Sequence, residues 1–87
     1  MMIEYTVRVS DNSIEWFLDG QRHRLDGPAY ESVNGDMFWY LNGQRHREDG
    51  PAIEHVDGSK FWYLNGKRYT EEEFALLQFV KGINIYA

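Results

Sequence analysis

The sequence predicts a mainly β protein, an antiparallel meander of tandem β-hairpins with a C-terminal capping α-helix. Three observations carry that prediction. One 23-residue unit stands twice in tandem and begins a third time. Asn-Gly and Asp-Gly dipeptides recur between β-prone runs. Helical periodicity enters only after Tyr69.

The repeat decides the architecture. Residues 16–38 read WFLDGQRHRLDGPAYESVNGDMF and residues 39–61 read WYLNGQRHREDGPAIEHVDGSKF. Of the 23 aligned positions, 15 are identical. A third copy opens at Trp62 with WYLNGKRY and then departs. One supersecondary unit is therefore stacked along the chain. The division reads as residues 1–15 for an N-terminal strand cap, 16–69 for the hairpin repeats, and 70–87 for a capping helix and tail, all within a single domain.

The turns follow from the dipeptides. Two-residue type I′ turns need positive φ at both central positions, which Asn-Gly and Asp-Gly supply. They are expected at Asp19-Gly20, Asn34-Gly35, Asn42-Gly43, Asp57-Gly58 and Asn65-Gly66. Asp26-Gly27-Pro28 and Asp49-Gly50-Pro51 read as wider corners, because proline cannot donate to a ladder. The strands implied run over about 4–9, 13–18, 21–25, 29–33, 36–41, 44–47, 52–56, 59–64 and 67–69.

Counting outward from those turns pairs Leu41 with Gln44, Tyr40 with Arg45, Trp39 with His46 and Phe38 with Arg47. It also pairs Ser32 with Met37, Glu31 with Phe38, Tyr30 with Trp39, Ile53 with Trp62, Glu54 with Phe61 and His55 with Lys60. Since side chains alternate between faces, one face would carry Tyr30, Met37, Trp39, Leu41, Gln44 and His46. Trp16, Trp39 and Trp62 would line up on it, as the better buried face and the one the helix covers. The other face would carry Ala29, Glu31, Val33, Phe38, Tyr40, Arg45 and Arg47.

The chain then changes period. Thr70-Glu71-Glu72-Glu73 has the form of a capping box, and its glutamates suit the positive end of a helix dipole. Phe74, Leu76, Leu77, Phe79 and Val80 form an apolar stripe up to Gly82, so a helix is expected over about 71–81. Ile83-Asn84-Ile85-Tyr86 alternates and predicts a short final strand.

Composition narrows the function. Hydrophobic residues make up 43% of the 87 and charged residues 26%, enough for a folded domain with a thin core. Nine Lys and Arg oppose 14 Asp and Glu, a net charge of −5, which disfavours a phosphate-driven nucleic-acid binder. There is no cysteine, so disulfides, thiolate metal sites and cysteine nucleophiles are excluded. No apolar run approaches a membrane span, and the N-terminus carries no secretory pattern, so a cytoplasmic location is expected.

The core WYLNGxRHRxDGPA resembles the MORN-type repeats, specifically the variant group with a period near 23. The resemblance covers residues 16–69. It implies hairpins stacked into an elongated, twisted sheet, with roles in protein–protein contact, scaffolding and, in some eukaryotic members, contact with membrane lipid. The Trp and Arg-His-Arg content here is richer than the common pattern. Short chains with Asp-Gly-Pro-Ala corners and an acidic helical end are also similar in style to small proteins of tailed bacteriophages. That similarity implies a host protein as partner, for example one of a defence system, with inhibition as the effect. The family brings no catalytic residues.

His23 and His46 stand at equivalent positions, but a repeat spacing brings no convergent carboxylate, so no metal or other cofactor is expected. The serines lack a nucleophile signature, and repetition works against a pocket of unlike groups, so no enzyme is expected. Most acidic residues are turn or first-turn residues, and an acidic rim is their lesser reading. The arginines beside aromatic rings are the strongest site. Arg22, Arg24, Tyr40, Arg45, Arg47, Tyr63 and Arg68 are the expected binding residues. Aromatics and arginine enrich protein interfaces, so a protein partner leads. RNA or single-stranded DNA, gripped by phosphate contact and base stacking, is the alternative. The free sheet edges add self-association as a homodimer.

Overall fold

The structure, a computed structural model, describes residues 3–86 and the side chains of residues 3–80. It is an antiparallel meander of ten strands followed by one helix. The strands are β1 (Thr6–Val9), β2 (Ser13–Leu18), β3 (Gln21–Arg22), β4 (Tyr30–Ser32) and β5 (Met37–Phe38), then β6 (Tyr40–Leu41), β7 (Gln44–Arg45), β8 (Ile53–Glu54), β9 (Lys60–Leu64) and β10 (Lys67–Tyr69). The helix α1 spans Glu71–Tyr86. The molecule measures 45 × 40 × 17 Å, a slab one or two layers thick.

Two ladders run along the slab and share the central strand of each repeat. The first has the order β1-β2-β4-β5-β8-β9 and continues into β10. The second stacks the tight hairpins: Gly43 N donates to Arg22 O at 2.9 Å, and Gly66 N to Arg45 O at 2.9 Å. Arg24 N donates to Tyr40 O at 3.1 Å, and Arg47 N to Tyr63 O at 3.2 Å. Each bond recurs 23 residues later, so the sequence repeat is also a repeat of backbone pairing. The ladders part at the tryptophans. Strand 36–41 is accordingly two pieces, with Trp39 between β5 and β6.

Three of the five tight turns form as expected. Asp19, Asn42 and Asn65 have φ of 51°, 51° and 50°, and each following glycine is also positive, which is the type I′ pattern. Asn34-Gly35 and Asp57-Gly58 depart from it. Only the glycines are positive there, at 104° and 94°. Ser32 N donates to Asp36 O and His55 N to Ser59 O, each at 2.9 Å, which encloses three residues. The cause is local: Asp57 Oδ1 accepts from Ser59 N at 2.9 Å, an Asx turn that holds the residue before the glycine out of the left-handed region.

One extra loop residue shifts the register by one and reverses the faces. Tyr30 pairs with Phe38 and Glu31 with Met37. Ile53 pairs with Phe61 and Glu54 with Lys60. Tyr30 therefore leaves the tryptophan face, Glu31 joins it, and Glu15, Tyr30, Phe38, Ile53 and Phe61 form one continuous row. The expected pairs Tyr40–Arg45 and Leu41–Gln44 stand.

The core is thin. Ala29 and Ala52, the alanines of the two Asp-Gly-Pro-Ala corners, are fully buried, with Ile53 and Phe74 nearly so. The capping box is present: Thr70 N donates to Glu73 Oε1 at 2.8 Å, and Glu73 N to Thr70 Oγ1 at 3.0 Å. The helix packs on β9 and β10 at the end of the array, and Leu76 and Phe79 stay exposed. It also runs through Gly82 to Tyr86, so the final strand expected over 83–86 does not form. A glycine costs only about 1 kcal/mol within a helix, and no proline follows to enforce a stop.

Candidate interaction surface

The row that begins at Glu15 grows into an alternation of rings and guanidinium groups. Arg8 lies 5.2 Å from the Phe17 ring centre. Arg22 lies 5.1 Å from Tyr30 and 5.5 Å from Tyr40. Arg45 is 5.4 Å from Tyr63, and Arg68 is 4.6 Å from Phe61. These contacts are a consequence of stacking. Each hairpin offers Tyr40 opposite Arg45 or Tyr63 opposite Arg68, and the next hairpin sets its ring beside the previous arginine. Contact with the Tyr40 hydroxyl raises the Arg45 pKa above its ordinary value, against a smaller opposing effect of burial. Each guanidinium over a ring is worth about 0.5–1 kcal/mol at an exposed site.

Glu15 is the one buried carboxylate of this face, and it accepts from Arg22 Nη2 at 3.0 Å with Arg8 Nη1 at 3.9 Å. The aromatic seam continues through Phe38, His55 and Phe61 in edge-on contacts at 5.7 and 5.9 Å. His55 Nδ1 lies 3.4 Å from Asp36 Oδ2. Asp36 in turn accepts from Val56 N at 2.8 Å, which holds its pKa below the ordinary value, with His55 adding to the effect.

Of the expected binding residues, the structure gathers Arg22, Tyr40, Arg45, Tyr63 and Arg68 on this face. Arg24 and Arg47 are elsewhere. Arg24 lies 4.1 Å over Trp16, pairs with Asp26 at 3.0 Å and donates to Pro28 O at 3.3 Å, with Glu31 at 3.7 Å. Arg47 repeats this with Trp39 at 3.9 Å, Asp49 at 2.8 Å, Pro51 O at 3.1 Å and Glu54 at 3.3 Å. Their side chains are only 20% and 21% exposed. Each is a peg that fastens a corner to a tryptophan. The corner glycine completes the socket: a Cβ at Gly27 would stand 2.9 Å from Arg24 Cζ, and one at Gly50 3.1 Å from Arg47 Cζ.

The histidines act the same way. His23 Nδ1 accepts from Asn42 N and His46 Nδ1 from Asn65 N, both at 2.9 Å, so each imidazole staples the turn of the following repeat. Among the described residues no three His, Asp or Glu side chains converge as metal ligands. No helix among them is long and apolar enough to cross a membrane.

Arg8, Phe17, Tyr30 and Phe61 belong to the face and were not among the expected binding residues. Arg8 has no counterpart within the repeat, and counting from a two-residue turn at Asn34-Gly35 places Tyr30 on the opposite side, which the one-residue register shift reverses. Compared with known proteins, the chain matches no family model, no curated protein and no solved structure.

Proposed function

We propose that the chain is a non-enzymatic MORN-like repeat module that binds another protein through the arginine–aromatic face. The observation that carries this reading is the run of arginine–ring contacts on the broad side of a slab, from Arg8 on Phe17, through Arg22 between Tyr30 and Tyr40, to Arg45 on Tyr63. Rings already held by neighbouring guanidinium groups lose little side-chain freedom on binding, and such residues are the usual anchors of interfaces. The resemblance to small phage proteins adds a host protein, such as a component of a defence system, as the partner in the host cytoplasm, with inhibition as the outcome. Single-stranded nucleic acid is the second reading, supported by the same contacts and opposed by Glu15 among them and by the net charge.

Capture of partners by the wild type and by a variant with Arg22, Arg45 and Arg68 all changed to Gln tests both. A protein retained by the wild type and lost by the variant, with little change on raising salt, supports protein binding. Retention of single-stranded RNA with a steep salt slope, lost in the variant, replaces it with the second reading. Capture that is indifferent to the variant removes the face from either.

A further inference from the structure

The first two repeats carry the same Trp–His pair, and the structure fills the space beside it in only one of them. Beside Trp16 and His23 lies Tyr5, edge-on to Trp16 at 5.5 Å and stacked on His23 at 6.2 Å. Beside Trp39 and His46, the equivalents 23 residues on, there is instead an open groove of about 630 Å³. Leu25 and Pro28 of the preceding corner line it too, together with Leu41. Leu25 is 71% exposed. A ring in contact with one copy of a pair shows what chemistry that pair accepts.

The rim supplies the charge. Asp26 and Asp49 are 85% and 87% exposed, and Glu48 lies beside them. Arg24 and Arg47 also line the groove, but each is already matched by two carboxylates. The balance at the mouth is therefore negative. From the occupied first pair, the open second pair and this rim, we infer that the Trp39–His46 groove is a docking slot for a tyrosine side chain of a partner protein, flanked in that partner by lysine or arginine. This deepens the protein-binding reading and rests on it, but it uses the opposite side of the slab from the arginine–aromatic face.

The test uses the whole protein and three probes: the capped tripeptides Ac-Lys-Tyr-Lys-NH2, Ac-Lys-Ala-Lys-NH2 and Ac-Glu-Tyr-Glu-NH2. The readout is the indole N–H resonances of Trp16, Trp39 and Trp62. The Lys-Tyr-Lys peptide should move the Trp39 signal in a saturable way, at a Kd on the order of 1 mM given so small a ligand. Trp16 and Trp62 should stay still. The alanine peptide and the glutamate-flanked peptide should each bind several-fold more weakly. Leu25→Ala removes an exposed lining side chain without touching the fold and should weaken the tyrosine peptide several-fold. Tyr5→Ala should bring Trp16 into the response. The inference is overturned if Trp39 does not respond, or if the alanine peptide binds as well as the tyrosine peptide. A partner protein captured through Arg22, Arg45 and Arg68 while Trp39 stays silent overturns the slot and leaves the protein-binding reading standing.

Discussion

Arg24 and Arg47 look on the page like the other arginines of the Arg-His-Arg runs, yet their environments make them structural. A guanidinium clamped between an indole and a glycine, with its Nε and Nη1 held by two carboxylates and a carbonyl, is fixed in place by the fold itself. The clamp makes a testable demand on Gly27, whose φ is unexceptional and whose need for glycine is purely one of space. Gly27→Ala should destabilise the protein by about 1–3 kcal/mol in urea unfolding, through overpacking against Arg24. In an Arg24→Ala background the same change should be nearly neutral. A coupling below about 0.5 kcal/mol between the two would show that the glycine serves something else. By contrast Asn42 and Asn65 are held in the left-handed region by their turn, and Asn42→Ala should cost about 1 kcal/mol for that reason alone.

At the scale of the element, legibility tracked how local the determining interaction was. The helix cap was readable from four residues because both of its hydrogen bonds lie within Thr70–Glu73. Thr70→Ala should remove about 1 kcal/mol of stability, read by thermal unfolding. The type I′ turns were readable where the dipeptide alone sets the backbone. They were misread at Asn34-Gly35 and Asp57-Gly58, where the side chain of the Asn or Asp competes by bonding two residues ahead. The signal lay in the sequence as a polar Asp36 or Ser59 after the glycine, against Gln44 after Gly43, but only the paired strand length showed its effect. The Asp36 hydrogen bond to Val56 links that loop to the next repeat. Its folded pKa lies below the ordinary 3.8, so the unfolded chain takes up the proton first. Glu73, held low by the Thr70 N–H, has the same sign against 4.5. Both contribute stability that is present above those ordinary values and lost as pH falls through the folded ones. The urea midpoint should therefore decline on acidification below about 4.5, and Asp36→Asn should flatten the decline. An unchanged slope in that variant would remove Asp36 as a source of it.

For the whole molecule, the repeat was legible as a stack, but what joins its members was not. Nothing in the sequence indicated that His23 would hold the turn at Asn42, or that Arg24 N would reach Tyr40 O. Those bonds, together with the Arg47 N and Gly66 N bonds one unit on, mean that no repeat owns all of its hydrogen bonds. With a core of little more than Ala29, Ala52, Ile53 and Phe74, no repeat can stand alone either. The array should therefore unfold as a unit, despite its quasi-linear build. Trp39 sits at its centre, half-buried under Arg47, and Trp39→Ala should cost about 3 kcal/mol, the low end for a tryptophan because its ring is not fully enclosed. If the units are coupled as the bonds imply, hydrogen exchange in that variant should quicken at Arg24 N and Gly43 N on one side and at Arg47 N and Gly66 N on the other by a similar factor, since all four would then open only with the whole molecule. Faster exchange confined to Arg47 and Gly66, with Arg24 and Gly43 protected as before, would show that the first repeat and its N-terminal strand form a separable unit and that the inter-repeat bonds do not bind the slab together.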